Sequence, residues 1–274
     1  MSTAGGVEWS AFHGSQAEAY ETYLVPAMFG PMAMDLVGRA ALVPSERVLD
    51  VACGTGIVAR TAASRLGPSA QVTGVDLNPT MLAVAATASA STTPAIEWLE
   101  AKAESVPLGD DSFDVVMCQQ GLQFFPDRLA ALREMRRLLA HDGRMLVSVW
   151  HDIGRGFAAL AAALGRNISA EAGGALARGP ASLRDGEELS ALVKGAGFSD
   201  VSLEPVMVRI NFPSATEFVR RYVSVTPLSV AVASASQGAR DQLVADVADQ
   251  LRDFAGAGGL ELEGKTNVVI AVRQ

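Results

Sequence analysis

The chain is short of the residues that build disulfide scaffolds, metal centres and aromatic-rich sheets. Its 274 residues include two cysteines, Cys53 and Cys118, and three histidines, His13, His141 and His151. No CxxC or HxxxH spacing occurs, so neither a disulfide framework nor a zinc site is expected, and no metal is assigned. Aromatic residues make up only 6%, which with abundant alanine favours helices over an all-β fold. Positive charge is also scarce. Lys and Arg number 22 against 30 Asp and Glu, for a net charge of −8 and a pI near 5.0. A non-specific nucleic-acid binder needs a basic face, so no nucleic-acid partner is expected. No apolar run reaches the ~18 residues of a membrane-spanning helix. Met1–Gly6 has neither the basic nor the apolar region of a secretory leader. These absences predict a soluble, reduced, cytoplasmic protein without a membrane partner.

Hydrophobic residues make up 49% and charged residues 19%, enough for a large core. Short apolar runs alternate with helical stretches. Arg47–Cys53, Gln71–Val75, Ile96–Leu99, Phe113–Cys118 and Arg144–Trp150 read as strands, the last after a turn at His141-Asp142-Gly143. Ile57–Leu66, a helix opening at Asn78-Pro79, and Asp127–Leu139 read as the helices between them. Asp185–Ala196, Ser214–Tyr222 and Gln237–Ala255 read as later helices, with Val201–Ile210 and Asn267–Arg273 as later strands. This rhythm predicts an α/β fold: a doubly wound, mostly parallel seven-stranded Rossmann-like sheet with a helical cap. The expected division is an N-terminal helical lid over 1–45, a cofactor-binding core over 46–151, cap insertions over 152–183 and 211–260, and the rest of the core sheet over 184–210 and 261–274. The alternative for 17–41, broken by Pro26, Gly30 and Pro31, is simple packing on the main domain.

The most informative segment is Val48-Leu49-Asp50-Val51-Ala52-Cys53-Gly54-Thr55-Gly56. A strand delivers the chain to a glycine turn, and a helix follows at once. Glycines let backbone amides approach a ligand without a Cβ in the way, and the helix start suits an anionic group. Asp76, at the end of the second strand, is placed to accept the hydroxyls of a ribose. An adenosine-bearing ligand is therefore expected. Gly54-Thr55-Gly56-Ile57-Val58-Ala59 matches the dinucleotide pattern literally. Asp50 distinguishes the alternatives, because a carboxylate beside the turn repels a pyrophosphate and welcomes an ammonium. The other reading of Asp50 is a structural acid that caps local amides.

RVLDVACGTG, VTGVDLNPTML, AKAESVPLGDDSFDVVMCQQGLQFFPD and the GRMLVSVW strand together resemble the class I S-adenosylmethionine-dependent methyltransferases. The nearest subgroup is the methyltransferase type 11 group, with its ubiquinone/menaquinone-type and natural-product enzymes. Ala52 stands where that family usually has the first glycine of its turn. The resemblance implies S-adenosyl-L-methionine as cofactor and S-adenosyl-L-homocysteine as product. It places Asp50 and the stretch Ala52, Cys53, Gly54 and Gly56 at the methionine end, Asp76 at the ribose, and Leu77 and Met81 against the adenine. It puts Ala103 and Glu104 at the adenine amino edge and Gln119 beside the methionyl part, with Tyr23 also on the cofactor side. Gln120, Gln123 and Tyr222 are candidates for the acceptor.

Methyl transfer of this kind is an in-line displacement that needs a general base only if the acceptor must lose a proton. His151 and His13 are the candidates, the first at the carboxyl edge of the sheet and the second in the N-terminal lid. His141 falls at the opposite edge, and Cys53 reads as a small apolar group. Trp150, Phe157, Phe212, Phe218, Tyr222 and Leu228 are expected to wall a pocket for a small organic acceptor. Two other functions stay open: an NAD-dependent oxidoreductase, and a cofactor-binding protein on the same scaffold that transfers no methyl group.

Overall fold

A computed structural model of the chain describes residues 15–274, so His13 lies outside the described residues. The chain forms two compact units. The larger comprises Phe29–Asp152, Pro180–Val208 and Lys265–Gln274; the smaller comprises Ile153–Gly179, Arg209–Gly264 and the described residues up to Met28.

Ser15 caps α1 (Gln16–Ala19), its hydroxyl accepting the Glu18 N–H. A π-helical segment, Tyr20–Phe29, leads into α2 (Gly30–Ala40). The sheet then builds through β1 (Arg47–Val51), α3 (Ile57–Ala63), β2 (Gln71–Asp76), α4 (Pro79–Ala88), β3 (Ile96–Glu100), β4 (Phe113–Gln119), α5 (Arg128–Leu138) and β5 (Leu139–Asp152). In the smaller unit follow α6 (Gly154–Asn167) and α7 (Ala170–Arg178). After them come α8 (Gly186–Gly195), β6 (Asp200–Phe212), α9 (Ala215–Ser224), α10 (Leu228–Ala233), α11 (Gln237–Gln250), β7 (Ala255–Gly256) and β8 (Gly259–Val272).

The strands line up β3-β2-β1-β4-β5-β8-β6, and the eighth, β7, is a two-residue strand paired to β8 outside this row. Neighbours from β3 to β5 run parallel, whereas β8 is antiparallel to β5. The order reverses between β1 and β4, which makes their carboxyl ends the switch point where open α/β sheets bind ligands.

The period-2 pattern of the strands assigns each face. Val48, Val115, Met117 and Leu146 point to one side and pack with Ala33, Leu36, Val37 and Ala40 of α2 and Val58 and Ala62 of α3. Leu49, Val51, Val116, Val147 and Val149 point to the other and pack with Leu132, Met135, Leu138, Leu189 and Val193 of α5 and α8. Each such fully buried aliphatic side chain stabilises the fold by roughly 1.5–3 kcal/mol. Helix α2 therefore belongs to the core of the larger unit. The reason is its amphipathic spacing, since 33, 36, 37 and 40 lie on one face.

Two other elements differ from their sequence reading. β5 begins at Leu139, and the expected turn at His141-Asp142-Gly143 is a bulge inside it, where Phe113 pairs with Leu139 but Val115 with Arg144. Asp142 takes a positive φ of 63° there. The last strand starts at Gly259, well before Asn267. Asn78, Asp127, Asp185 and Ser214 each stand as an N-cap, with the side chain accepting an amide of the first turn.

In the smaller unit, α6 and α11 are joined by Asp246, which accepts from Arg166 and Asn167 on α6 and from Gln242 on its own helix. Phe157, Phe212, Phe218 and Tyr222 make an aromatic cluster with centroids 4.9–5.2 Å apart for the Phe157–Tyr222, Phe212–Phe218 and Phe157–Phe218 pairs. Among the described residues no helix is long and apolar enough to cross a membrane.

Candidate cofactor site at the switch point

The carboxyl ends of β2, β1 and β4 lie side by side, and they bring Asp76, the turn Ala52–Gly56 and Gln119–Gln123 to one edge of the larger unit. The turn is held from both sides. The Cys53 N–H donates to the Val75 carbonyl at 3.0 Å and the Gly56 N–H to the Cys53 carbonyl at 2.8 Å. The Gly54 N–H donates to Asp76 Oδ2 at 2.8 Å, while Asp76 Oδ1 accepts the Asn78 N–H at 2.8 Å. A carboxylate offers about four lone-pair sites, so Asp76 keeps acceptor capacity after fixing the turn and the start of α4.

Gly54 has φ +55° and nothing within 4 Å of where a Cβ would stand. This open space above the turn is the cradle expected of a ligand site. Gly56 and Gly74 are glycines for another reason. The Trp98 ring would lie 2.2 Å from a Cβ on either one. Trp98 is the partner of Gly74 across β2 and β3, and its indole N–H donates to Ser89 Oγ at 3.2 Å. It braces the turn from the side. The sequence carries one signal of this, a glycine inside a buried strand, which often marks a close approach.

Asp50 is buried, with 1% of its surface exposed, and its Oδ2 accepts the Ala59 N–H at 3.0 Å. Burial, with a smaller contribution from the charge of Asp76, pushes its carboxyl up to about 8. In this structure Asp50 pins the first turn of α3. Ala52 has a positive φ of 55°, a conformation that a glycine would adopt freely and that costs an alanine about 1 kcal/mol. The Cys53 thiol packs 3.1 Å from the Cβ position of Gly74 and is pushed well up by burial, with Asp50 and Asp76 adding to the shift. It therefore serves as a small apolar group, not a thiolate nucleophile.

At the end of β4, Gln119 Nε2 donates to the Phe29 carbonyl at 3.1 Å. Gln120 has φ 56°, and its N–H donates to the Ser148 carbonyl at 2.8 Å. Gln123 Nε2 donates to Gln120 Oε1 at 3.0 Å. Gln119 Oε1, Gln120 Nε2, Gln123 Oε1, Ser148 Oγ and Thr55 Oγ1 are buried without a partner. Buried polar atoms without partners are costly, so their gathering at one sheet edge marks a place where a ligand or ordered water completes the bonding. Leu77 is 60% exposed beside Asp76, an apolar side chain with room for a ring, and Met81 is half-buried at the start of α4. Ala103 and Glu104 lie in the loop after β3, both half-buried.

The remaining sequence candidates fall elsewhere. His151 is exposed at the carboxyl end of β5, at the irregularity between Trp150 and Asp152. Tyr23 and Tyr222 belong to the smaller unit. The Tyr23 ring lies under the Arg221 guanidinium, 4.7 Å from ring centre to carbon. Burial pushes the Tyr222 phenol up, which keeps it neutral.

Comparison with known proteins agrees with this geometry. The family described as "Methyltransferase domain" matches residues 49–147. An uncharacterized protein of Mycobacterium tuberculosis is 34% identical over 123 residues, 45% of this chain and 44% of its own length. The ubiquinone/menaquinone biosynthesis C-methyltransferase of Bordetella avium is 39% identical over 111 residues, 40% of this chain and 43% of its own. The chain thus spans under half the length of these curated relatives. Among solved structures, phosphoethanolamine N-methyltransferase 2 of Haemonchus contortus, in complex with phosphomonomethylethanolamine and S-adenosylhomocysteine, superposes with a TM-score of 0.59 at 22% identity. That alignment covers 94% of this chain and 56% of the other. At that identity the likeness concerns the fold.

Proposed function

We propose that this chain, whose residues 49–147 match the methyltransferase domain family, is a class I methyltransferase of the type 11 group that transfers a methyl group from S-adenosyl-L-methionine to a small organic acceptor. The observation that carries the reading is the open glycine turn beside Asp76, with the Gly54 N–H 2.8 Å from Asp76 Oδ2. It joins an uncovered backbone cradle to a ribose-type acid.

The residues present fit such a cofactor. Asp76 has lone pairs left for two ribose hydroxyls, Leu77 and Met81 would offer apolar contact to the base, and Ala103 and Glu104 would stand at its amino edge. Asp50, the turn Ala52–Gly56 and Gln119 would hold the methionine end. When bound, the cofactor supplies an electrophilic methyl group on a sulfonium and leaves as S-adenosyl-L-homocysteine. The protein's part is to orient the acceptor in line with that methyl and to exclude water, because sulfonium charge is lost as transfer proceeds. Gln120 and Gln123 hydrogen-bond the acceptor in this reading. His151, at the carboxyl end of β5, is the candidate to take the proton of a hydroxyl or acidic carbon.

The acidic balance, −8 overall, supports a free small molecule over a nucleic acid. Two free buried cysteines support a reducing, cytoplasmic setting. Isothermal titration of the full chain with S-adenosylhomocysteine and with NAD tests the reading. Binding of the first alone is expected; binding of NAD alone would replace it with an oxidoreductase. Cofactor binding without methyl transfer to any acceptor would point to a non-methylating protein on this scaffold.

A further inference from the structure

The loop between β3 and β4 carries Ala103 and Glu104, and among the described residues its only ladder is an isolated Lys102–Ser105 bridge. Its backbone is held from outside. At one end the Ala101 N–H donates to the Asp76 carbonyl at 3.2 Å. At the other, two side chains of α5 take over. Glu134 Oε1 accepts the Val106 N–H at 2.7 Å. Arg137 donates to the Val106 carbonyl at 3.1 Å and to the Leu108 carbonyl at 2.9 Å, and its own carbonyl accepts the Asp111 N–H at 3.1 Å. The pair is locked by two further bonds, Arg137 Nε to Glu134 Oε2 at 2.8 Å and Arg137 Nη2 to Glu134 Oε1 at 2.7 Å. Their mutual hydrogen bonding holds Glu134 below and Arg137 above their ordinary values, so both stay charged. Val106 itself is buried. The stretch that contains Ala103 and Glu104 is thus slung between two fixed points, Asp76 and the Glu134–Arg137 pair.

We propose that Glu134 and Arg137 are positioning residues for the cofactor's base. By fixing Val106 and Leu108 they set where Ala103 and Glu104 stand, and they let the loop tell a purine with an exocyclic amine from one with an oxygen in its place. The chemistry follows from the donor set. The Arg137 guanidinium fork serves two carbonyls and two carboxylates at once, those of Glu134 and of Asp110 in the same loop, whereas an ammonium is a point donor. A carboxylate at a fixed place accepts from an amine and repels a carbonyl oxygen. A slack loop gives that discrimination away. The proposal rests on the cofactor reading above and assigns the residues that make its base selective.

The test is isothermal titration of the full-length protein with S-adenosylhomocysteine and with its deaminated analogue, S-inosylhomocysteine. The readout is the ratio of the two affinities. Because both are measured on the same protein, the ratio is insensitive to any fraction that is unfolded. Wild type is expected to favour the adenine form by about tenfold or more, the worth of one good hydrogen bond. Arg137→Met should bring the ratio close to one, with Arg137→Lys between. Asp76→Ala should weaken both ligands alike and keep the ratio. Should Arg137→Met fail to fold, Glu134→Gln, which keeps an oxygen for Val106 but loses the ion pair, should lower the ratio as well. An unchanged ratio in the folded variants, or a wild type without preference, overturns the proposal and leaves the cofactor site standing. A wild type that binds neither ligand overturns the reading beneath it.

Discussion

Ala52 and Gly121 meet at the switch point of the sheet, where a Cβ on Gly121 would stand 2.7 Å from the Ala52 Cβ. Ala52 follows β1 and Gly121 follows β4, the two strands between which the order reverses. The left-handed Ala52, φ 55°, occupies a glycine position in the turn, and its methyl group lies where Gly121 has none. Cys118 Sγ would also approach that Cβ, at 2.9 Å.

This pairing predicts coupled stabilities. Gly121→Ala should destabilise the fold by about 1–3 kcal/mol through overpacking. Ala52→Gly should be neutral or stabilising by up to about 1 kcal/mol, since the backbone strain disappears while unfolded-state freedom rises. The double variant should recover part of the Gly121→Ala loss, with the Cys118 contact limiting the recovery. Urea denaturation of the four proteins checks this; strict additivity would show that the two sites are not coupled.

Asp76→Ala should weaken S-adenosylhomocysteine binding by roughly 1.5–3 kcal/mol, because charge-assisted hydrogen bonds to the ribose are lost. The Gly54 N–H also loses its acceptor, so the change should slacken the turn as well. Titration calorimetry reads the first effect directly, and unchanged affinity would remove Asp76 from the ribose role.

The Asp50 carboxyl carries a pH dependence of stability. Burial raises it from an ordinary 3.8 to about 8. Between those values the folded protein binds the proton more tightly than the unfolded chain, so stability falls as pH rises and levels off above 8. Asp50→Asn keeps an oxygen for the Ala59 N–H and removes the titration. Chemical denaturation from pH 5 to 8 should give a flatter profile for the variant than for wild type. Parallel profiles would mean that Asp50 is ionised throughout.

His151→Ala should lower turnover sharply while leaving cofactor affinity near normal, if the acceptor gives up a proton to this side chain at the edge of β5. Wild-type rates in the variant would show that the acceptor needs no base here. The exposure of His151 makes the substitution structurally mild.

Much of the core and half of the candidate site could be read directly because their signals are local. β1, β2 and β4 are short, valine-rich runs, and the caps at Asn78, Asp185 and Ser214 stand within three residues of the amides they satisfy. The glycine turn and Asp76 were legible for the same reason, since each closes a strand whose pattern is unambiguous. The extension of β5 through His141–Gly143 was hidden, because a bulge with a positive φ at Asp142 looks like a turn in any short window. Helix α2 was hidden too, because Gly30 and Pro31 suggested a break where the chain only changes helical type.

Strand and helix alternation, the turn that follows β1 and the acid that ends β2 are written locally, since hydrophobic period and glycine placement act over a few residues. Tertiary structure alone decided that Trp98 braces Gly56 and Gly74, that Gly121 makes room for Ala52, and that Glu134 and Arg137 hold the loop bearing Glu104. Those contacts join residues far apart along the chain. Close packing and the pairing of buried polar groups fix them only once the sheet order has brought their strand ends together.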